Sequence, residues 1–217
     1  MTDIFNEVDE EMRRERLKSL WDRYGTYLIA LCVLVVVGVG VWRGYEWWQN
    51  KQAEKSGAAF EQAVELAEGG KQQQSEVAFA KLATDGTAGY RSLARLREAA
   101  ELAPTDRAAA VKAYDAIAAD TSQTQVMRDL AAVRAGYLLV DSASYSELLS
   151  RLEPLTAPDR TFRYTAQEIL ALSAWKAGDI TAARKWTDMI MADPSAPAGT
   201  RSRAQVLSEL IAAADKG

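Results

Sequence analysis

Few residues in this chain are equipped to do chemistry, and those few are scattered. Histidine is absent, and Cys32 is the only cysteine. The usual general base and the commonest metal ligand are therefore missing. One thiol supports neither an internal disulfide nor a zinc site of cysteine and histidine. The densest carboxylate run, Asp9-Glu10-Glu11, lies in a charged N-terminal segment and reads as a solvated face. Serine, lysine and aspartate are available, but no motif sets a nucleophile beside a base, and no glycine-rich loop is spaced to hold phosphate. No catalytic, cofactor-binding or metal-binding residue is assigned, no cofactor is expected, and the reading is of a protein that is not an enzyme. A net charge of −4 argues against nucleic acid, which needs a concentrated basic face.

What remains for such a chain is to hold something in place. Ala, Leu, Glu, Lys, Arg and Gln are plentiful, while Gly and Pro are sparse and fall at punctuating positions, so helices are expected throughout. Residues 25–42 are 18 consecutive residues without a charge. As a helix they would be roughly 27 Å long, close to the hydrocarbon thickness of a bilayer. Arg23 and Arg43 bracket the run, with Trp21, Tyr24 and Tyr27 at one end and Trp42, Tyr45, Trp47 and Trp48 at the other. Such rings prefer the membrane interface. A cleaved signal peptide fits less well, because the charged region before the run is long and no A-x-A site follows it. An uncleaved single-pass anchor in contact with lipid is expected. Arg13, Arg14, Arg16, Lys18 and Arg23 precede the run; Arg43, Lys51 and Lys55 follow it within 20 residues. That bias places the N-terminus in the cytoplasm and the rest of the chain across the membrane. Gly40 and Gly44 have the spacing of a small-residue helix contact, a spacing common by chance.

Before the run, Ile4, Phe5, Val8, Met12, Leu17, Leu20 and Trp21 recur at helical spacing beside charged positions, which fits a surface-lying or partner-docking helix and equally a solvated flank. After it, residues 45–68 stay helical in pattern, with Phe60, Val64 and Ala67 on one side, and Gly69-Gly70 ends them. Lys71 to Gln74 reads as a polar connector. Leu93, Leu96 and Ala100 then mark a helix, which Pro104-Thr105-Asp106 breaks. Val111, Tyr114 and Ala118 mark the next; Leu130, Val133, Tyr137 and Val140 a third. Ser144-x-x-Glu147 is a capping box at the start of a helix carrying Tyr145, Leu148, Leu149 and Leu152. Phe162, Ile169 and Leu172 mark a helix ended by Gly178. Asp179 is placed to cap the next, with Ile180, Ala183, Trp186 and Ile190, closed by Pro194 and Pro197. Leu207, Leu210, Ile211 and Ala214 mark the last.

These helices pair at a spacing near that of a helical repeat. Leu170, Ala174, Gly178, Asp179, Ala183 and Pro194 resemble a tetratricopeptide repeat of about 34 residues, one residue short after the glycine. The segments from Leu93 to Ala119 and from Leu130 to Leu152 fit more loosely. The expected fold is all-α: a single N-terminal transmembrane helix followed by a tetratricopeptide-repeat-like α-solenoid. The expected division is a cytoplasmic tail over 1–23, a transmembrane helix over 24–43, a stalk or first soluble helix over 44–70, and the repeat domain over 71–217. Stacked helix pairs make a concave groove for peptides or partner helices. The groove residues are not assigned; Tyr90, Tyr114, Tyr137 and Trp175 are candidates by type, with core packing the competing role for each.

Asp3-Ile4-Phe5, Glu7-Val8-Asp9-Glu10, Arg13-Arg14-Glu15 and Leu20-Trp21-Asp22-Arg23-Tyr24-Gly25 carry a resemblance. Arg43-Gly44-Tyr45, Trp47-Trp48, Gly57-Ala58-Ala59-Phe60, Tyr90-Arg91, Leu130-Ala131-Ala132-Val133-Arg134-Ala135, Lys176-Ala177-Gly178-Asp179 and Ala196-Pro197-Ala198-Gly199 continue it. Together they resemble the YfgM-like family of ancillary Sec-translocon subunits in its alphaproteobacterial form. The enteric members carry a Gly-Asp-Ile-Leu-Leu-like run where this chain has Glu168-Ile169-Leu170-Ala171-Leu172. The resemblance implies an inner-membrane protein with a periplasmic repeat domain. It implies as partners Sec translocon subunits, a membrane-anchored periplasmic prolyl isomerase, and unfolded or translocating polypeptides, with secreted and outer-membrane proteins as clients. The alternative is a structural adaptor for another envelope assembly, such as outer-membrane insertion or division machinery.

Overall fold

The computed structural model describes the backbone of residues 2–214 and the side chains of Lys18 and residues 21–214. The apolar positions read from Ile4 to Leu20 lie outside the described side chains. The described residues form nine α-helices and one 3₁₀ turn, so the all-α expectation holds. They are α1 (Thr2–Glu68), α2 (Gln72–Asp85), α3 (Ala88–Leu102), α4 (Arg107–Ala119), α5 (Gln125–Leu139), α6 (Tyr145–Leu152), the 3₁₀ turn Glu153–Thr156, α7 (Arg163–Lys176), α8 (Ile180–Ala192) and α9 (Ala198–Ala214). Two compact units divide the chain, Met1–Glu54 and Lys55–Gly217.

In the first unit α1 is long and apolar enough to cross a membrane. From Trp21 to Lys51 only Gly25 is buried. Leu28, Leu34, Val36 and Trp42 are each more than half exposed, so no protein core covers this stretch. A buried core helix would show the reverse.

In the second unit local chemistry sets the helix ends. Past α1, Gly70 sits at φ +72°, Lys71 N–H bonds to the Leu66 carbonyl at 2.9 Å, and Gly70 N–H bonds to that of Ala67 at 3.1 Å. This is a Schellman ending, which needs the left-handed backbone glycine adopts freely. It recurs after α7: Gly178 has φ +76°, and Asp179 N–H and Gly178 N–H bond to the Ala174 and Trp175 carbonyls, each at 3.0 Å. Asp179 then accepts from Ala182 N–H at 2.9 Å and starts α8, as the sequence predicts. Asp106 and Thr124 cap α4 and α5 in the same way. Ser144 accepts from Glu147 N–H at 3.2 Å, one half of the expected capping box. The Glu147 carboxylate lies 3.4 Å from Arg151 instead.

One expectation needs correcting. Gln72 to Gln74 are the first turn of α2, and the connector is only Gly69 to Lys71. The pattern of α2 is faint because its buried face is Ser75, Phe79 and Leu82, while Val77 points to solvent. Ser75 is fully buried because its hydroxyl donates to the Ala63 carbonyl at 3.0 Å.

The core is a chain of local clusters. Ala63, Phe79, Leu82 and Ala94 join the end of α1 to α2 and α3. Ala99, Tyr114, Ile117, Ala131 and Ala135 join α3, α4 and α5. A larger cluster, with Leu148, Leu152, Ile169, Leu170 and Trp186, joins α5 through α9. Alanines at 0 % exposure, among them Ala94, Ala110, Ala131, Ala174 and Ala183, stand where helices cross closely. Helices adjacent in sequence pack together, and α7 also touches α5 and α9. Each segment leaning on its neighbours is the logic of a helical solenoid.

A polar knot ties α3 to the turn after α4. Asp120 accepts from Ser122 and, at 2.6 Å, from Arg95, and these bonds hold its carboxyl well below the usual aspartate range. A carboxyl depressed in the folded state stabilises the fold above its unfolded pKa, and that contribution fades as pH falls through the folded value. The melting temperature of Asp120→Asn should therefore lie below that of the parent at neutral pH, and the gap should close as pH drops below about 4. Thermal melts across that range check this; a gap independent of pH would remove the knot's ionic character.

Candidate protein-binding cleft

Alpha-helix periodicity puts Leu93, Leu96, Arg97 and Ala100 on one face of α3. The same spacing aligns Leu130 and Arg134 on α5, with Tyr137 further along and outside the cleft lining. Between these faces, and closed by Phe60 of α1 and Tyr114 of α4, lies an open cleft of about 240 Å³. The stripe Leu93, Leu96 and Ala100 does mark α3, but the buried side of that helix is Ala94, Ala99 and Glu101, and Leu93 is 42 % exposed. The larger apolar groups thus face the cleft, and the small ones make the helix crossing.

Phe60 is fixed by its neighbours. Its ring lies 5.5 Å from Phe79, edge-on, and 6.1 Å from Tyr90. A Cβ at Gly57 would stand 2.8 Å from the Tyr90 hydroxyl, so Gly57 leaves the room that Tyr90 occupies. Gly57 and Phe60, within one turn of α1, thus share one corner with Tyr90 of α3, far along the chain.

Of the four aromatic candidates, Tyr114 is a wall of the cleft, only 4 % exposed. Burial raises its phenol pKa, opposed by Arg134 and Arg97, with Glu101 adding to the rise. Tyr137 is 43 % exposed. Burial of its inner edge and the charge of Glu168 raise its pKa, against Arg203 and Arg134. Arg203 grips the buried Glu168, with Nη2 donating to Oε2 at 2.8 Å and Nε to Oε1. Tyr90 is half-buried against Phe60, and Trp175 is half-buried against the large core cluster, away from the cleft-lining set. Among the described residues no three carboxylates or thiols converge as metal ligands would.

Sequence reasoning did not single out Arg97 or assign Arg134 to a site. A signal was present: Leu93-x-x-x-Arg97 recurs 37 residues on as Leu130-x-x-x-Arg134, close to one helical repeat of about 34 residues.

Stacked helix pairs, small residues at the crossings and the Gly178-Asp179 turn are the features of a repeat protein, and the family profile agrees. The profile of the tetratricopeptide repeat-like domain matches residues 18–193. The chain belongs to the tetratricopeptide repeat-like domain family. No curated protein and no solved structure matches it. Within the tetratricopeptide repeat-like fold, Leu170, Ala174 and Ala183 are fully buried at the α7–α8 crossing, and Gly178 and Asp179 form the turn between the two helices. Tetratricopeptide repeat-like domains are generally protein-interaction scaffolds rather than catalysts, and a cleft between α3 and α5 serves that use.

Proposed function

We propose that this chain is an inner-membrane-anchored protein-binding scaffold, non-enzymatic, ancillary to the Sec translocon and the periplasmic chaperone network. The observation that carries the reading is the cleft: exposed apolar and cationic groups on successive repeats of a tetratricopeptide repeat-like domain. The exposed apolar stretch of α1 supports an anchor over residues 24–43, following a cytoplasmic tail over 1–23. Residues 44–70 are then a stalk and residues 71–217 a periplasmic repeat domain. The resemblance carried by the N-terminal motifs supports translocon subunits, a membrane-anchored prolyl isomerase and emerging secreted or outer-membrane polypeptides as partners.

Two measurements test it. Protease added to spheroplasts should digest the repeat domain and spare the N-terminal tail; a domain cut only in inverted vesicles would reverse the orientation. Photo-crosslinking residues at Leu93 and Tyr137, both exposed, should capture translocon subunits or translocating chains in native membranes. Capture of outer-membrane insertion or division components alone would replace the translocon reading with that of an envelope adaptor.

A further inference from the structure

Among the arginines of the second unit, two lack a hydrogen-bonding or ionic partner. Arg95, Arg151, Arg160, Arg163 and Arg203 each sit against a carboxylate. Every other arginine beyond residue 54 also has a partner, except Arg97 and Arg134. Those two line the same cleft, one turn beyond equivalent leucines on α3 and α5. Both line it together with Tyr114, on whose hydroxyl the two charges act. Glu101, whose Oε2 accepts from Gln72 at 2.7 Å, also acts on that hydroxyl, so one carboxylate stands against two guanidinium groups and the balance is positive. Guanidinium groups stay charged at any physiological pH and match carboxylates in shape. Two cations lining one cleft beside apolar groups are complementary to an anion attached to something apolar.

We infer that the cleft takes a segment of another polypeptide in which a large apolar side chain is flanked by carboxylates. The apolar group seats among Phe60, Leu93, Leu96 and Leu130, and the carboxylates pair with Arg97 and Arg134. This rests on the protein-binding reading above and adds the chemistry of the partner. The volume of about 240 Å³ falls below the roughly 300–1,000 Å³ of ordinary small-molecule pockets. It suits a side chain inserted from a longer chain. A nucleic acid is the poorer fit, since two cations on a protein of net charge −4 give no basic track along a backbone.

The test uses the full chain in detergent micelles and three short fluorescent peptides. Each carries one central phenylalanine, flanked by glutamates, by glutamines or by lysines. The glutamate peptide should bind more tightly than the glutamine peptide by on the order of tenfold or more, and added salt should weaken it. Arg97→Gln with Arg134→Gln should bring the glutamate peptide down to the affinity of the glutamine peptide. Arg97→Lys with Arg134→Lys should retain part of the difference, because charge survives and bidentate geometry does not. Lys81→Gln, an exposed charge loss on α2 outside the cleft, should change nothing. Neither cleft arginine holds a contact the fold needs, so circular dichroism melts of the variants should superimpose on the parent.

Equal binding of glutamate and glutamine peptides, or indifference to the arginine variants, overturns the acidic partner and leaves the scaffold reading standing. Binding of no peptide overturns both. Arginine-dependent binding of inorganic phosphate or of phosphatidylglycerol vesicles, with no peptide bound, overturns the inference in favour of a small-anion or headgroup site.

Discussion

Trp186→Ala should lower the stability of the repeat domain by about 3–5 kcal/mol, the range for removing a buried aromatic ring. Trp186 is 2 % exposed, on the face of α8 that also buries Ala183 and Ile190. Its ring belongs to the cluster built by Leu148, Leu152, Ile169 and Leu170. The indole Nε1 donates to the Tyr145 hydroxyl at 2.9 Å, so truncation also leaves that hydroxyl without its partner. The Lys185 ammonium stands 4.7 Å from the ring centroid and adds a modest cation–π attraction. Trp186→Phe separates the terms. It keeps most of the volume and loses the hydrogen bond, and should cost only about 1–2 kcal/mol. Thermal and urea unfolding of both variants gives the comparison. An unchanged melting curve for Trp186→Ala would place the ring outside the core and contradict its burial.

Trp186 was legible in the sequence because everything that places it is local. Gly178-Asp179 announces a turn, Ala183 a close crossing, and Trp186 and Ile190 continue the same helical face. The chemistry of each lies within one or two turns of the residue itself. Helix α2 was not legible, because a buried serine stands where a core hydrophobe is expected. Its hydrogen bond to the Ala63 carbonyl, which makes burial tolerable, crosses between helices and leaves no trace in a local window. The stripe Leu93, Leu96 and Ala100 shows a third case. Periodicity identifies the helix but not which of its faces meets a neighbour. Here alanines at 94 and 99 bring α3 close to its neighbours and turn the leucines toward the cleft. The cleft arginines lie furthest from sequence reasoning. What distinguishes Arg97 and Arg134 is the lack of a partner, and that is known only once every other arginine has been placed.

Separating the repeat domain from its anchor should reduce partner capture in membranes by about a hundredfold, with no change in the domain's own affinity. The open cleft makes few directed contacts, so each encounter in free solution should be weak, of roughly micromolar Kd. Covalent connection to a membrane helix confines the domain near partners that are themselves in the membrane. A short connection gives an effective concentration commonly near millimolar, so a site with a Kd of about 10 μM is almost fully occupied when tethered. At sub-micromolar free concentration the same site is almost empty. Cutting after Trp48 keeps all of the second compact unit, Lys55–Gly217, and removes the apolar stretch. The comparison is crosslinking yield from the same probe positions in the full chain and in residues 49–217, at matched expression. A third chain, with residues 24–43 replaced by an unrelated apolar helix, distinguishes anchoring from specific helix contacts such as a Gly40–Gly44 face. If anchoring is what matters, the replacement restores capture. Yield that stays low with a foreign anchor would assign recognition to the native helix, and yield undiminished in residues 49–217 would show that confinement contributes nothing to binding.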